Sequence, residues 1–409
     1  MCFSLAIALF FLMKRLASCC VGFSFLVVQF SLGQTVEEKL EALELQLRES
    51  REITNRLAEQ LDALKAQTGK GLSPSGTLSG YISSSFRYTP TSYVGNDLYK
   101  FSGGSDRRDR FALDVVALNW LHQNNNAPWK AGFNFQTWIG PDADLLKTSD
   151  STDTEIAIKQ AYINLHFPVG DGLGFKAGVF DTVIGYESTD RNNNPFHSHS
   201  WGKSIEPTQH TGFLFDYKLT ENLKLYAGVA NSTSPKINGL SDNDNRFTLI
   251  GAADYMVPEE FWGLGGSTFT LGTVNGRPWD QGNNNLDPIR EEYYYFGGRI
   301  PTPWEDLTLG VAWDLKRTEG GGNDDQVLGG YLSYRATDIL ELNLRGEKFE
   351  AGNGLGSSMS DGWGVTSGFT YQLWNNTKAR FEYRYDRTDL PVGGKNGNKT
   401  LIWNLIYSF

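Results

Sequence analysis

The chain has 409 residues, of which 40% are hydrophobic, and a formal net charge of −10 at pH 7. Its mean hydropathy of −0.37 excludes a bundle of transmembrane helices, and its acidity argues against nucleic acid as a partner. Glycine (45 residues), phenylalanine (25), tyrosine (18) and tryptophan (11) are frequent, a composition typical of large β-structures.

Residues 1–33 are predicted to be a signal peptide. Two positive charges, Lys14 and Arg15, precede an apolar run that ends near Gly33. The alternative is a membrane anchor, for which a run of about 17 apolar residues is borderline in length. All three cysteines lie in this segment, at positions 2, 19 and 20, so the mature chain would have none, which suits an oxidising compartment. Loss of the two cations would take the formal charge from −10 to −12.

Residues 34–68 are predicted to form a coiled-coil stalk. Leucines recur at spacings of three and four among charged residues, which is a heptad pattern. The apolar core positions are Val36, Leu40, Leu43, Leu47, Leu57, Leu61 and Leu64, and Ser50 and Thr54 occupy the two positions between them. The alternative is a single helix that lies on or plugs the mouth of the following domain. Residues 69–76, rich in glycine, serine and proline, would be a linker.

Residues 77–409 are predicted to form an all-β domain, a transmembrane antiparallel β-barrel. Short segments with alternating polar and apolar residues continue to the end of the chain, each near the length of a tilted membrane strand. The sixteen predicted strands are 77–88, 110–121, 129–139, 154–167, 173–181, 211–219, 223–231, 247–256, 266–274, 291–300, 307–317, 326–335, 340–349, 363–374, 377–387 and 400–409.

The alternation predicts which side chains face the interior. Glu382, Arg384 and Asp386 alternate with aromatic residues, and Asp314 and Lys316 alternate with apolar ones. Charges on one face of a strand and apolar groups on the other fit a wet lumen inside a lipid-facing wall better than the dry core of a sandwich.

The connections between strands provide a separate argument. Long connections, such as 89–109 and 182–210, alternate with short ones, such as 220–222 and 375–376. A membrane barrel has long loops at its outer end and short turns at its periplasmic end. Sixteen strands enclose an aqueous channel, whereas eight leave room only for side chains, so this pattern predicts an open pore.

The last strand matches a known assembly pattern. Trp403, Leu405, Tyr407 and Phe409 fall on one face of an extended strand. A terminal phenylalanine in this pattern resembles the signal that the outer-membrane barrel assembly machinery reads. These four residues are therefore the predicted assembly signal. Lipids of the outer membrane are expected to surround the barrel.

The longest connection, 182–210, is the predicted selectivity element. General porins resemble each other in folding their third outer loop into the lumen, and by that resemblance a solute would meet a set of charges in this loop. These residues are Glu187, Asp190, Arg191, Lys203 and Glu206. The alternative is a loop that packs on the outer rim. Three histidines also lie here, but without a third fixed ligand they do not predict a metal site, and no cofactor is expected.

The segment 140–274 resembles the OmpL-like β-barrel porin family. The motifs that carry the resemblance are Gly140-Pro141-Asp142-Ala143-Asp144, Lys159-Gln160-Ala161-Tyr162, Gly178-x-Phe180, Ile184-Gly185-Tyr186-Glu187, Asn192-Asn193-Asn194, Ser198 to Ser200, Thr211-Gly212 and Gly228-Val229-x-Asn231. The chain departs from the family pattern at Ser232-Thr233, where the family tends to have Gly-Trp. The resemblance implies an outer-membrane channel and assigns no solute.

The sequence therefore favours a bacterial outer-membrane porin, a passive channel for small hydrophilic solutes or ions, with a homotrimer as its expected assembly. The acidic chain suggests a weak preference for cations. One alternative is a structural or adhesive envelope protein that tethers the outer membrane to the cell wall or a partner through its coiled coil. Another is a barrel lipase or protease, for which no motif is found, so the chain is not expected to be an enzyme.

Overall fold

The computed structural model describes residues 48, 76–89, 110–123, 129–148, 155–240, 247–261, 263–279, 289–304, 306–320, 324–350, 352, 361–389 and 395–409. The chain divides into two units, Met1–Pro74 and Ser75–Phe409. The predicted signal peptide and, apart from residue 48, the predicted coiled coil lie outside the described residues.

The second unit is a β-barrel. Its strands are β1 Thr77–Tyr88, β2 Arg110–Gln123, β3 Lys130–Ile139, β4 Ile156–Phe167, β5 Leu173–Asp181, β6 Gln209–Thr220, β7 Leu223–Ala230, β8 Thr248–Met256, β9 Thr268–Gly276, β10 Glu291–Pro301, β11 Leu307–Thr318, β12 Asp325–Thr337, β13 Leu340–Glu350, β14 Gly362–Trp374, β15 Thr377–Asp389 and β16 Lys395–Ser408. Each strand pairs antiparallel with its neighbours in sequence, and β1 pairs with β16, so the barrel is closed. The predicted sixteen-stranded barrel is confirmed.

Among the described residues, three short helical segments lie between the strands. They are 3₁₀ turns at Pro141–Leu146 and Arg191–Asn193, and the helix α1 at Trp201–Ile205. In the part of the chain that the structure describes, no helix combines the length and the apolar character needed to cross a membrane.

Strand boundaries differ most from the sequence prediction at β16. It begins at Lys395 rather than at 400, because β15 extends to Asp389 and the two strands pair as far as Asp389 and Lys395. The connection before β16 is therefore 390–394. The alternation of long and short connections holds around most of the barrel. The connection 257–267 is longer than the other connections at the end with the short turns.

The outer face is apolar, and aromatic residues cross the closure of the barrel there. Phe369, Phe381, Trp403, Phe86 and Phe111 are successive cross-strand partners from β14 through β15, β16 and β1 to β2. Successive ring centroids are 4.9 to 5.9 Å apart. Aromatic pairs on one face of a sheet stabilise strand pairing, so this row supports the pairing of β1 with β16.

The end of the chain completes that closure. The amide of Phe409 donates to the carbonyl of Gly80, and the amide of Gly80 donates to the carbonyl of Phe409, both at 2.9 Å. Trp403, Leu405, Tyr407 and Phe409 are each nearly half exposed on the outer face. Ile402 and Ile406, which alternate with them, are buried.

Candidate functional site: the β5–β6 loop

Residues 182–208, the β5–β6 loop, begin by packing on an apolar part of the inner surface of the barrel. We name this part the apolar wall. Its buried residues come from β5 through β12 and are Phe180, Leu214, Ala230, Ile250, Val274, Tyr293, Tyr295, Ala312 and Tyr331. Ile184 of the loop belongs to the same cluster, and Val183 and Tyr186 pack against it. Burial of apolar side chains of this size is a strong, non-directional attachment.

Two glycines give the loop room on the apolar wall. A Cβ at Gly272 would lie 2.4 Å from Cγ2 of Ile184, and a Cβ at Gly310 would lie 2.0 Å from the hydroxyl oxygen of Tyr186. The ring of Tyr186 stacks on Tyr331, with centroids 4.0 Å apart and planes inclined by 23°. Any side chain at either glycine would displace the loop.

The next part of the loop is held by ion pairs with β13. Arg345, whose side chain is fully buried, lies 2.7 Å from Glu187 of the loop and 2.9 Å from Glu347 of its own strand. Its guanidinium also donates to the carbonyl and the hydroxyl of Ser198, each at 3.0 Å. One arginine therefore binds two separate segments of the loop, with the directional geometry that a planar guanidinium provides.

β15 holds the backbone of the loop. Glu382 accepts hydrogen bonds from the amides of His197 at 2.8 Å and Ser198 at 3.0 Å, and also from the Ser198 hydroxyl. Arg380 donates to the carbonyls of Arg191 at 2.8 Å and Asn194 at 2.7 Å. These bonds satisfy backbone groups that would otherwise be buried at a cost. We name Arg345 and Glu347 of β13 with Arg380, Glu382, Arg384 and Asp386 of β15 the charged wall.

The helix α1 also packs on the charged wall. Ser200 caps it, since its hydroxyl accepts from the amide of Lys203 at 3.0 Å. The amide of Trp201 donates to Glu347 at 2.6 Å, and its indole donates to Asp386 at 3.0 Å. The centroid of the indole ring lies 4.5 Å from the centroid of the Phe349 ring. The side chain of Trp201 thus fills an apolar site and binds two carboxylates of the wall.

The middle of the loop contacts β1, β3 and the 3₁₀ turn after β3. Asp190 accepts hydrogen bonds from the hydroxyl of Tyr81 in β1 at 3.0 Å and from the side-chain amide of Gln136 in β3 at 3.1 Å. Arg191 lies 3.1 Å from Asp142, in the 3₁₀ turn after β3. The β5–β6 loop therefore contacts the inner surface of the barrel at the apolar wall, at the charged wall and at β1 and β3.

The five residues predicted at a constriction are all in this loop, and each is buried with a partner. Beyond the contacts of Glu187, Asp190 and Arg191 above, Lys203 lies 3.1 Å from Glu206. Glu187, Asp190 and Arg191 therefore fix the loop against the rest of the barrel, whereas Lys203 and Glu206 pair within the loop. That a solute also meets these charges stays a prediction.

Of the five residues predicted to face the lumen, four lie at or next to the contacts with the β5–β6 loop, and Lys316 does not. Glu382 and Asp386 bind the β5–β6 loop directly, and Arg384 lies 2.8 Å from Asp386. Asp314 is buried beside Gly202, where a Cβ would lie 2.3 Å from its carboxylate. Lys316 instead pairs with Glu291 of β10 at 2.7 Å.

Arg345, Glu347 and Arg380 are not among the residues predicted from the sequence. The signal that identifies Glu382 and Arg384 could have found them, because Arg380 alternates with apolar residues in β15 and Arg345 and Glu347 alternate in β13. Nothing in the local sequence predicts that these residues bind a loop more than 140 positions away.

Burial also shifts the pKa values of titratable side chains in the loop. It lowers the pKa of His197 and of His199 well below the usual value, and the nearby guanidinium of Arg191 adds to the effect. Burial raises the pKa of Glu206, which Lys203 opposes. Both histidines are therefore neutral at pH 7. Among the described residues no group of three or more His, Cys, Asp or Glu is placed to hold a metal ion.

Solved structures with the same fold are described as an outer membrane channel, a porin and an outer membrane protein. The outer membrane channel DcaP of Acinetobacter baumannii matches with a TM-score of 0.58 at 11% identity, over 82% of this chain and 97% of that one. The anion-selective porin from Comamonas acidovorans has a TM-score of 0.55 at 11% identity, over 82% and 99%. OmpT of Vibrio cholerae, in a structure described as the trimer form, has a TM-score of 0.52 at 12% identity, over 82% and 99%. At these identities the likeness establishes the fold alone.

No curated protein matches the sequence. A family model does: the family described as "Putative beta-barrel porin-2, OmpL-like" matches residues 75–409, which is the whole described barrel. The match covers most of the chain and includes every strand and the β5–β6 loop. The chain therefore belongs to the OmpL-like β-barrel porin family.

Proposed function

We propose that this porin is a passive channel of the bacterial outer membrane for small hydrophilic solutes or ions, narrowed by the β5–β6 loop. The observation that carries the proposal is the loop itself, which enters a closed sixteen-stranded barrel and is bound on several sides. A barrel of this strand number encloses an aqueous channel unless something fills it. Because the loop is fixed inside the barrel, it narrows the channel permanently.

The solute path is proposed to pass beside the loop. Glu187, Asp190, Arg191, Lys203 and Glu206 would set the electrostatic potential along it even though their own side chains are paired, because charges in a narrow, low-dielectric passage act over several ångströms.

The remaining segments are proposed to follow the sequence prediction, with a signal peptide at 1–33, a periplasmic coiled-coil stalk at 34–68, a linker at 69–76 and the barrel at 77–409. The short turns would face the periplasm and the long loops the cell exterior. Outer-membrane lipids would contact the apolar outer face.

A homotrimer is the proposed assembly. OmpT, which shares the fold, is described in a trimer form, and the leucine seam of residues 34–68 offers a second means of association. Replacing both Leu43 and Leu57 by Asp should dissociate the stalk, because charges in a leucine seam have no partner. Light scattering in mild detergent measures the result: a wild-type monomer would contradict the trimer, and a trimeric double variant would leave the barrels as the source of association.

Recognition by the barrel assembly machinery is proposed to involve Trp403, Leu405, Tyr407 and Phe409. Deletion of Phe409 should reduce insertion and cause the protein to accumulate in the periplasm, because it also removes the two backbone hydrogen bonds with Gly80. Cell fractionation measures this, and normal outer-membrane levels of the deletion variant would contradict it.

The channel function is tested in planar lipid bilayers with purified, folded protein. We expect discrete conductance steps from the native sample and none from a heat-denatured one. A folded barrel that inserts without conducting would contradict the proposal and favour the structural or adhesive alternative. Hydrolysis of lipid or peptide that a single serine or aspartate substitution abolishes would favour the enzyme alternative.

A further inference from the structure

A cavity of about 350 Å³ lies inside the barrel at the end where the short turns are, away from the β5–β6 loop. It is formed by the inner face of β2 through β7. Three lysines line it, Lys130, Lys176 and Lys224, with one carboxylate, Asp216. In a chain of net charge −10, this is a local excess of positive charge.

The strand register places these groups side by side. Lys130, His166, Gly174, Asp216 and Tyr226 are successive cross-strand partners from β3 to β7. One row away, Gly132 pairs with Asn164 and Asn164 pairs with Lys176. Cross-strand partners on one face are about 5 Å apart, so the polar groups form one continuous surface.

Gly174 leaves room on this surface for the side chain of Asp216. Gly174 lies between His166 and Asp216, and a Cβ there would lie 2.3 Å from the carboxylate of Asp216. The carboxylate of Asp216 therefore lies over the backbone of Gly174, and the cavity of about 350 Å³ lies among the polar side chains around it.

Two of the three lysines form no ion pair with a described residue. Lys224 lies 2.9 Å from Asp216 and so is neutralised by it. Within the described part of the chain, neither Lys130 nor Lys176 has a carboxylate within ion-pair distance. The ammonium of Lys176 lies 5.0 Å from the centroid of the Tyr162 ring, which orients it without removing its charge. This contrasts with Arg345 at the charged wall, which is bound by two carboxylates.

We propose that this cavity binds small multivalent oxyanions, such as di- or tricarboxylates and phosphates, on their way through the channel. The ammonium groups of Lys130 and Lys176, the side-chain amide of Asn164 and the imidazole of His166 can bind the oxygens of such an anion. A positive surface at one mouth of a narrow channel also raises the local concentration of anions. The inference rests on the proposed channel function, deepens it by naming the solute class, and reverses the weak cation preference expected from net charge.

Binding is tested by isothermal titration calorimetry of the full barrel in detergent at low salt, with sodium citrate and sodium phosphate as separate probes and sodium chloride as the monovalent reference. We expect citrate, phosphate or both to bind in preference to chloride. The double variant Lys130→Gln/Lys176→Gln should bind at least about tenfold more weakly, since each charge-assisted contact is of that order. Lys236→Gln, in the connection after β7, removes the same type of charge elsewhere and should bind like the wild type.

If the double variant does not fold, as judged by heat-modifiable migration, the exposed Lys130→Gln alone should weaken binding about threefold or more. Binding of citrate alone would assign the site to carboxylates, and binding of phosphate alone would assign it to phosphates; both support the inference. Absence of binding, or binding that neither lysine substitution weakens, would overturn it.

Bilayer recordings separate this inference from the channel proposal. The wild type should show current interruptions when citrate or phosphate is added, and Lys130→Gln/Lys176→Gln should show fewer at the same concentration. A channel that conducts but neither binds nor is interrupted by either anion would refute only the anion site. A protein that binds the anions but never conducts would refute only the channel.

Discussion

The two walls that hold the β5–β6 loop use different physical chemistry. The apolar wall of β5–β12 buries Ile184 and Tyr186 by area and shape, and depends on the space at Gly272 and Gly310. The charged wall of β13 and β15 uses buried ion pairs and hydrogen bonds centred on Arg345. Apolar packing is strong and tolerant of similar shapes, whereas a buried ion pair strongly penalises loss of either partner. The apolar wall therefore stabilises the docked loop by burial, and the charged wall fixes its position.

The largest effect should come from Arg345→Leu. The change leaves Glu187 and Glu347 buried without their guanidinium, at a cost of about 3–5 kcal/mol to loop docking. Trypsin should then cut the folded barrel within the loop, after Arg191 or Lys203, which are buried in the wild type. Mass spectrometry of the fragments measures this.

The control for that experiment is Lys348→Leu on the same strand. Lys348 is two-thirds exposed and pairs with Glu350 away from the loop, so its loss should leave the loop resistant. If Arg345→Leu is as resistant as Lys348→Leu, the charged wall does not hold the loop.

A smaller effect is expected from Gly310→Val on the apolar wall. The new side chain would occupy the position of the Tyr186 hydroxyl and displace its ring from Tyr331, at a cost of about 1–3 kcal/mol. The expected result is partial cleavage of the loop at a rate between those of the wild type and Arg345→Leu. Gly346→Val is the matched control, because no atom lies within 4 Å of a Cβ at that glycine. Equal cleavage in the two glycine variants would mean that the space at Gly310 has no role in docking.

The smallest effect is expected from Ser198→Ala. Its hydroxyl joins Glu382 to Arg345, but the Ser198 amide continues to donate to Glu382 at 3.0 Å. The loss should be about 0.5–1.5 kcal/mol, visible as a modest increase in the rate of trypsin cleavage over the wild type. Loss as large as that of Arg345→Leu would mean that the hydroxyl, rather than the arginine, positions the loop.

The sequence was sufficient to predict the strands and their faces, because alternation is a local property that each strand carries by itself. β16 was predicted to begin at 400 rather than at Lys395, since its first residues become a strand only through pairing with β15. The partners of the loop could not be predicted: Glu187 and Arg345 are 158 positions apart. The role of Gly310 could not be predicted either, because it depends on the contact with Tyr186, which the local sequence does not indicate.

The most direct test of the account is the single-channel conductance of a variant in which residues 187–204 are replaced by a short glycine-serine linker. The replaced segment includes every contact with the charged wall described above and leaves the strands intact. If the loop narrows a channel, both proteins should insert and conduct, and the variant should have the larger conductance. Equal conductance of the wild type and the variant would contradict the account.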